Sequence, residues 1–178
     1  LTALVNDLLV ISRLDSGRPL VLNWQTVELM PLLASVAEAH QASAHRHHIE
    51  VVGPERISLA ADTDRLRQIL ANLVSNAIKY SPRGGPVEIS AEETADDVRI
   101  LVRDQGVGIR PEHLNLVFEK FFQVDGSTTR RVGGSGLGLY LTRRLVEAHG
   151  GSVWAESELG KGTTLVVVLP KHAMAGVQ

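Results

Sequence analysis

Leu66, Ile69, Leu70, Leu73, Val74, Ala77 and Ile78 recur at i, i+3, i+4, i+7 spacing, a stripe that predicts an amphipathic helix over 63–80. Asp62 stands at its N-cap position, Asp64 suits the positive end of the helix, and Pro82 stops it. A second stripe, Leu1, Leu4, Val5, Leu8 and Ile11 with Leu9 beside it, predicts a helix over 1–14 that ends at Gly17 and Pro19. Residues 28–44 read as a third helix, with Pro31 tolerated in the first turn. A fourth runs from Leu137 to a glycine stop at Gly150. Alternation marks strands at 86–93 and 97–104, with Thr94–Asp97 as the hairpin turn, and a closing hairpin at 151–158 and 162–170. Short strands are expected near Leu20–Leu22 and at 49–52 and 57–60, the last two around a turn at Gly53-Pro54. The stretch from Gly106 to Gly138 is mostly irregular, with one short helix over Pro111–Val117. A loop of that length in a compact domain is usually functional or mobile. Residues 171–178 read as a frayed tail.

Composition narrows the classes. The 178 residues, 44% of them hydrophobic, suffice for one sizeable core with an appendage. A net charge of −2 gives no field for nucleic acid, so no nucleic-acid partner is expected. Without cysteine there is neither a disulfide framework nor a thiolate metal site. No apolar run reaches the roughly 18 residues that span a bilayer, and no secretory pattern opens the chain, so no membrane contact is expected of it. The chain starts at Leu1 in mid-pattern, as a fragment of something longer would.

The 63–80 helix carries an unexpected polar edge. Asn72, Asn76 and Lys79 are spaced i, i+4, i+7 and share one side of it. Asn is a mediocre helix former, so two of them one turn apart ask for a reason. Two glycine-rich stretches bear on it: "DQGVGI" (104–109) directly after a strand, and "GGSGLGL" (133–139) directly before a helix. Gly-rich backbone that runs into a helix N-terminus can cradle phosphate. Neither stretch is a Walker A loop, and Gly134, Gly136 and Gly138 do not make the dinucleotide fingerprint. Taken alone, each fits turns and caps equally well. Taken with the polar edge, they describe an ATP–Mg²⁺ site: an Asn oxygen is a hard neutral ligand for Mg²⁺, Lys79 would counter phosphate charge, Tyr80 would cover adenine or ribose, and Asp104 could accept from an adenine amino group.

The order Asn-x-x-x-Asn-x-x-Lys, Asp-x-Gly-x-Gly, a Phe-rich segment and Gly-x-Gly-x-Gly resembles the ATP-binding domain of sensor histidine kinases. There these are the N, G1, F and G2 boxes, here "NLVSNAIKY", "DQGVGI", "FEKFF" and "GGSGLGL"; "GKGTTLVVVLP" resembles the closing strand. The resemblance spans roughly residues 20–170. It implies the GHKL (Bergerat-type) fold, an α/β two-layer sandwich of a mixed sheet on about three helices. It divides the chain into the end of a dimerisation helix (1–17), an ATP-binding catalytic domain (18–170) and a tail (171–178).

The resemblance also implies roles. Asn76 would ligate Mg²⁺ and, with Lys79, serve catalysis; Asn72 supports the site, and Tyr80 lines the nucleoside. Asp104 would read adenine, with Gly106 and Gly108 giving the base room and Ile109 beside them. Residues 110–134 would be a mobile ATP lid anchored by Phe121 and Phe122. Gly134, Gly136, Leu137 and Gly138 would hold phosphates, Arg130 or Arg131 would reach the γ-phosphate, and Thr163 or Thr164 would complete the adenine pocket. The implied partners are a phosphoacceptor helix domain that this chain lacks, a response regulator, and a second copy in the full-length protein. The implied location is cytoplasmic, alone or as the inner portion of a membrane-bound sensor. No His-Asp/Glu-x-x-x-Pro motif is present, so the attacking imidazole must come from elsewhere. Gyrase- and MutL-type ATPases place a Glu general base one turn before the Mg²⁺-binding Asn; Asn72 stands there and cannot act as a base. A non-catalytic nucleotide-binding module is the other alternative. His45 and His48 could chelate by spacing, but a solvated helix end is the expected state of "HRHH". Trp24 and Trp154 read as packing or interface residues.

Overall fold

Every second residue from Val98 to Val102 is apolar, so a strand there must turn one face to a core. The computed structural model describes Ile11 and residues 20–123 and 135–173. In chain order its elements are β1 (Gln25–Glu28), α1 (Leu29–Gln41), β2 (His47–Val52), β3 (Ser58–Ala61), α2 (Thr63–Lys79), β4 (Gly85–Glu93), β5 (Asp97–Asp104), α3 (Gly138–Ala148), β6 (Ser152–Glu158) and β7 (Gly162–Pro170). Two 3₁₀ turns, Pro111–His113 and Leu116–Phe118, stand where one short helix is expected.

Five strands form one mixed sheet in the order β2-β4-β5-β7-β6, with β2 parallel to β4 and every other pair antiparallel. Its inner face is a set of apolar rows: Val87, Ile89 and Ala91 on β4, Val98, Ile100 and Val102 on β5, and Leu165, Val167 and Leu169 on β7, all buried. Against them lie α1 with Leu29, Leu33 and Val36, α2 with its predicted stripe, and α3 with Leu141, Leu145 and Val146. This is the expected two-layer sandwich. Asp62 caps α2 as its position implies, its Oδ1 accepting from the Asp64 and Arg65 N–H groups at 3.1 Å.

Three expectations fail. Residues 20–22 are not a strand; β1 lies further on, where Val27 packs opposite Leu59 of β3 in a separate two-stranded sheet. Consequently β2 and β3 do not pair across Gly53-Pro54: Ile49 lines up beside Val87 on β4, while β3 is drawn to β1. The chain after β7 is not frayed at its start, because the Lys171 N–H donates to Asp96 O at 2.8 Å and its carbonyl accepts the Ala60 N–H at 2.8 Å. Of the 1–14 stripe, only Ile11 is among the described residues, and it is buried in the core.

The two helices that flank the site are tied at their far ends by His149, which is 1% exposed. Its Nδ1–H donates to Leu145 O at 2.7 Å, which leaves Nε2 to accept the Asp62 N–H at 3.2 Å. The Trp24 ring meets it edge-on at 5.4 Å between centroids. Burial holds the His149 pKa below its ordinary value of 6.5, against smaller opposing effects of the Leu145 carbonyl and the Asp62 charge. A folded-state pKa below the unfolded one means that the unfolded chain takes up the proton first. The His149 contribution is therefore complete above about pH 6.5 and is lost as the pH falls below it. The unfolding midpoint should drop between pH 7.5 and 5.5, and drop less in His149→Gln, whose amide does not titrate. Equal drops, measured by calorimetry or circular dichroism, would contradict this assignment.

Candidate functional site

The inner row of β5 does not end apolar. After Val98, Ile100 and Val102, the same face of the strand presents Asp104, 6% exposed. On β7 the matching row begins with Thr163, directly opposite Asp104 in the register. This polar corner lies under the last turns of α2, where a cleft opens. Asp104 and Thr163 form its floor, Asn76, Ala77 and Tyr80 one wall, and Val107, Gly108 and Ile109 another; Val117, Phe122 and Leu139 lie across from them. A second cleft adjoins it, lined by Lys79, Ser135, Gly136 and Gly138. Asn76, Tyr80, Val117, Phe122 and Leu139 border both clefts, so Asn76 stands at their junction.

A buried carboxylate needs partners, and the chain supplies them. Asp104 Oδ1 accepts the Gly106 N–H at 2.7 Å and faces the Ser81 hydroxyl at 3.4 Å. Burial pushes the Asp104 carboxyl above the ordinary 3.8, while the Gly106 and Thr163 N–H groups and the Ser81 hydroxyl hold it back. Lys79 is placed at the mouth of the second cleft, its ammonium 4.8 Å from the centre of the Tyr80 ring. The Ser157 hydroxyl ties the walls together: it accepts the Ile109 N–H at 2.8 Å, donates to Gly162 O at 2.7 Å and lies 2.9 Å from Thr163 Oγ1.

Asn76, Lys79, Tyr80, Asp104, Gly108, Ile109, Gly136, Gly138 and Thr163 thus come together around the two clefts. Others serve differently. Asn72 lines neither cleft; its Nδ2 donates to Gly138 O at 3.3 Å and so pins the first turn of α3 to α2. Thr164 points away, because the pleat puts it opposite Arg103 on the outer face. Leu137 is 2% exposed and packs in the core, and the lining falls to Leu139 instead. Phe121 is 66% exposed: its backbone is left-handed, φ 61°, and its N–H donates to Gly136 O at 3.0 Å, which turns the ring outward. Phe122 alone of the pair lines the clefts, edge-on to His113 at 5.4 Å. The space left by Gly106 is taken by the chain itself, since a Cβ there would lie 2.2 Å from Tyr80 O. A Cβ on Gly108, φ +69°, would lie 2.2 Å from Glu158 O, although this glycine does border the cleft. Arg130, Arg131 and Gly134, with the rest of the 124–134 part of the expected lid, lie outside the described residues. "HRHH" is not a helix end: His47 and His48 open β2. No group of three His, Cys, Asp or Glu side chains suited to a metal occurs among the described residues. Sequence reasoning missed Ser81 and Ser157, which lack any motif, and Val117 and Leu139, which look like ordinary core positions.

Residues 61–173 match the family model described as histidine kinase-, DNA gyrase B- and HSP90-like ATPase. Among curated proteins, the sensor histidine kinase WalK of Bacillus subtilis is 37% identical over 94% of this chain, which covers 28% of that protein. The sensor protein SrrB of Staphylococcus aureus is 36% identical over 96% of this chain and 30% of its own length. The chain therefore spans under a third of the length of these relatives. Full-length ShkA, solved in complex with AMPPNP, superposes with a TM-score of 0.82 at 35% identity, over 98% of this chain and 36% of that one. The mycobacterial sensor histidine kinase MprB gives a TM-score of 0.73 at 28% identity, over 84% of this chain and 99% of that one. The chain belongs to the family of histidine kinase-, DNA gyrase B- and HSP90-like ATPases.

Proposed function

We propose that this chain is the ATP-binding catalytic domain of a sensor histidine kinase. It would present the γ-phosphoryl of ATP to a histidine on a separate helical segment, for onward transfer to a response-regulator aspartate. The observation that carries the reading is the make-up of the second cleft, where Asn76, Lys79, Ser75, Ser135 and glycine backbone meet but no carboxylate does among the described residues. Such a lining neutralises phosphate and offers no base for water. Asn72, at the position where hydrolytic relatives would need that base, is an amide committed to Gly138.

The residues fit Mg²⁺–ATP. Asp104 and Thr163 would meet the base, Tyr80 the nucleoside, and Lys79 the phosphates, with the Asn76 oxygen between as the metal ligand. Mg²⁺ would supply charge neutralisation on the phosphate oxygens. The protein contributes positioning, through the α2–α3 tie at Asn72 and the apolar wall of Val117, Phe122 and Leu139. Pairing with a second copy, a cytoplasmic location, alone or as the cytoplasmic portion of a membrane-bound sensor, and contact with the acceptor segment belong to the same reading. No helix among the described residues is long and apolar enough to cross a membrane.

Asn76→Ala should weaken Mg²⁺–ATP binding about tenfold or more, while changing metal-free ATP binding little. Calorimetric titration with and without Mg²⁺ checks this, and unchanged affinity would remove Asn76 from the site. Asp104→Asn should keep or raise the unfolding midpoint, because burial disfavours the charged form, and an amide oxygen can still accept the Gly106 N–H. The same variant should lose ATP affinity about tenfold, since its adenine partner is no longer a charged acceptor. An unfolded variant, or one binding ATP as before, contradicts the assignment.

A further inference from the structure

We propose that His47 is a positioning residue for base recognition: its imidazole holds the Tyr80–Ser81 segment against Asp104 at the end of β5 and the loop that follows it, and so sets adenine selectivity. The inference rests on the reading of Asp104 as the group that meets the adenine amino group.

His47 opens β2, and its main chain is fixed from α1. Gln41 Nε2 donates to His47 O at 3.0 Å, while Gln41 Oε1 accepts the Ile49 N–H at 2.9 Å. The ring crosses to the end of α2, where Nε2 lies 2.9 Å from Ser81 O. A carbonyl only accepts, so Nε2 carries the proton. Nδ1 is then a buried acceptor with no partner. An unpaired buried nitrogen is a cost, and the bond to Ser81 is what the ring gains in this place.

Ser81 O also accepts the Gly84 N–H at 2.8 Å, and the Gly85 N–H donates back to Arg46 O at 3.0 Å. The fit is close: a Cβ on Gly84, φ +78°, would lie 2.2 Å from Arg46 O. The start of β2 and the 81–85 turn are thus locked to each other. From this locked segment three contacts reach the 104–107 loop. The Ser81 hydroxyl faces Asp104 Oδ1 at 3.4 Å, the Val107 N–H donates to Tyr80 O at 3.0 Å, and Gly106 packs against Tyr80 O. A separation of 3.4 Å is at the outer limit for a hydroxyl donor, so a shift of a few tenths of an ångström decides whether Ser81 supports the carboxylate. His47 controls that shift without touching the nucleotide cleft, whose lining does not include it.

The test is calorimetric titration of the chain and its variants with Mg²⁺–ATP and with Mg²⁺–inosine triphosphate, which carries a carbonyl oxygen where adenine carries its amino group. The unaltered chain should prefer ATP. His47→Phe should bind ATP about five- to tenfold more weakly, the worth of one hydrogen bond, and inosine triphosphate nearly as before. His47→Gln, whose amide nitrogen reaches the place of Nε2, should restore the preference. His47→Asn, whose amide nitrogen falls at Nδ1, should not, and it stands in for His47→Phe if the ring exchange prevents folding. An unaltered ATP preference in His47→Phe or His47→Asn, or equal losses in Gln and Asn variants, overturns the proposal. An unaltered chain with no preference for ATP overturns the Asp104 reading first and the His47 role with it.

Discussion

A carboxylate buried at the end of an apolar strand row is the constraint to which this domain is fitted. Asp104 continues the row of Val98, Ile100 and Val102 and so must lie on the helix-facing side of the sheet. Desolvation there has to be offset by donors close at hand. The Gly106 N–H supplies one at 2.7 Å, and it can do so because no Cβ blocks the approach of the loop to Tyr80. Gly162, φ +115°, lets the start of β7 come equally close to the Asp104 main chain, since a Cβ on it would lie 2.0 Å from Asp104 O. The loop after β5, the start of β7 and the Ser81 hydroxyl beyond α2 converge on this one residue, and the cleft is the space left above it.

The α2–α3 pair sets the other wall. The two helices are tied at both ends, by Asn72 to Gly138 beside the cleft and by Asp62 to His149 at the far side. A shift of α3 therefore carries Leu139 and the glycines of its first turn relative to Asn76 and Lys79. This links packing to the proposed function: the apolar faces hold the helices on the sheet, while two polar ties fix their relative placement, to which a phosphoryl transfer would be sensitive.

What the sequence made legible follows from the range of the interactions involved. The α2 helix, its Asp62 cap and the polar edge of Asn76 and Lys79 rest on local periodicity, and all are where the pattern puts them. The choice between Thr163 and Thr164 was open only because the residue of β7 that faces Asp104 depends on pairing register. The failure to anticipate β1, and the partner exchange of β2 and β3, have the same origin, because strands of four to six residues carry too little pattern to name their neighbours. Phe121 and Phe122 are indistinguishable in sequence, and one positive φ decides which ring faces the cleft. Ser81, Ser157 and His47 act through long-range bonds to a carboxylate, a backbone N–H and a carbonyl, which leave no periodic mark.

The central claim is that the cleft holds ATP for a nucleophile other than water. The most direct measurement is a calorimetric titration with ATP, with and without Mg²⁺, with phosphate release followed on the same sample. The account predicts Mg²⁺-dependent binding in the micromolar range with almost no turnover. Sustained hydrolysis would contradict it, because it would require a base that neither Asn72 nor any described residue of the second cleft provides.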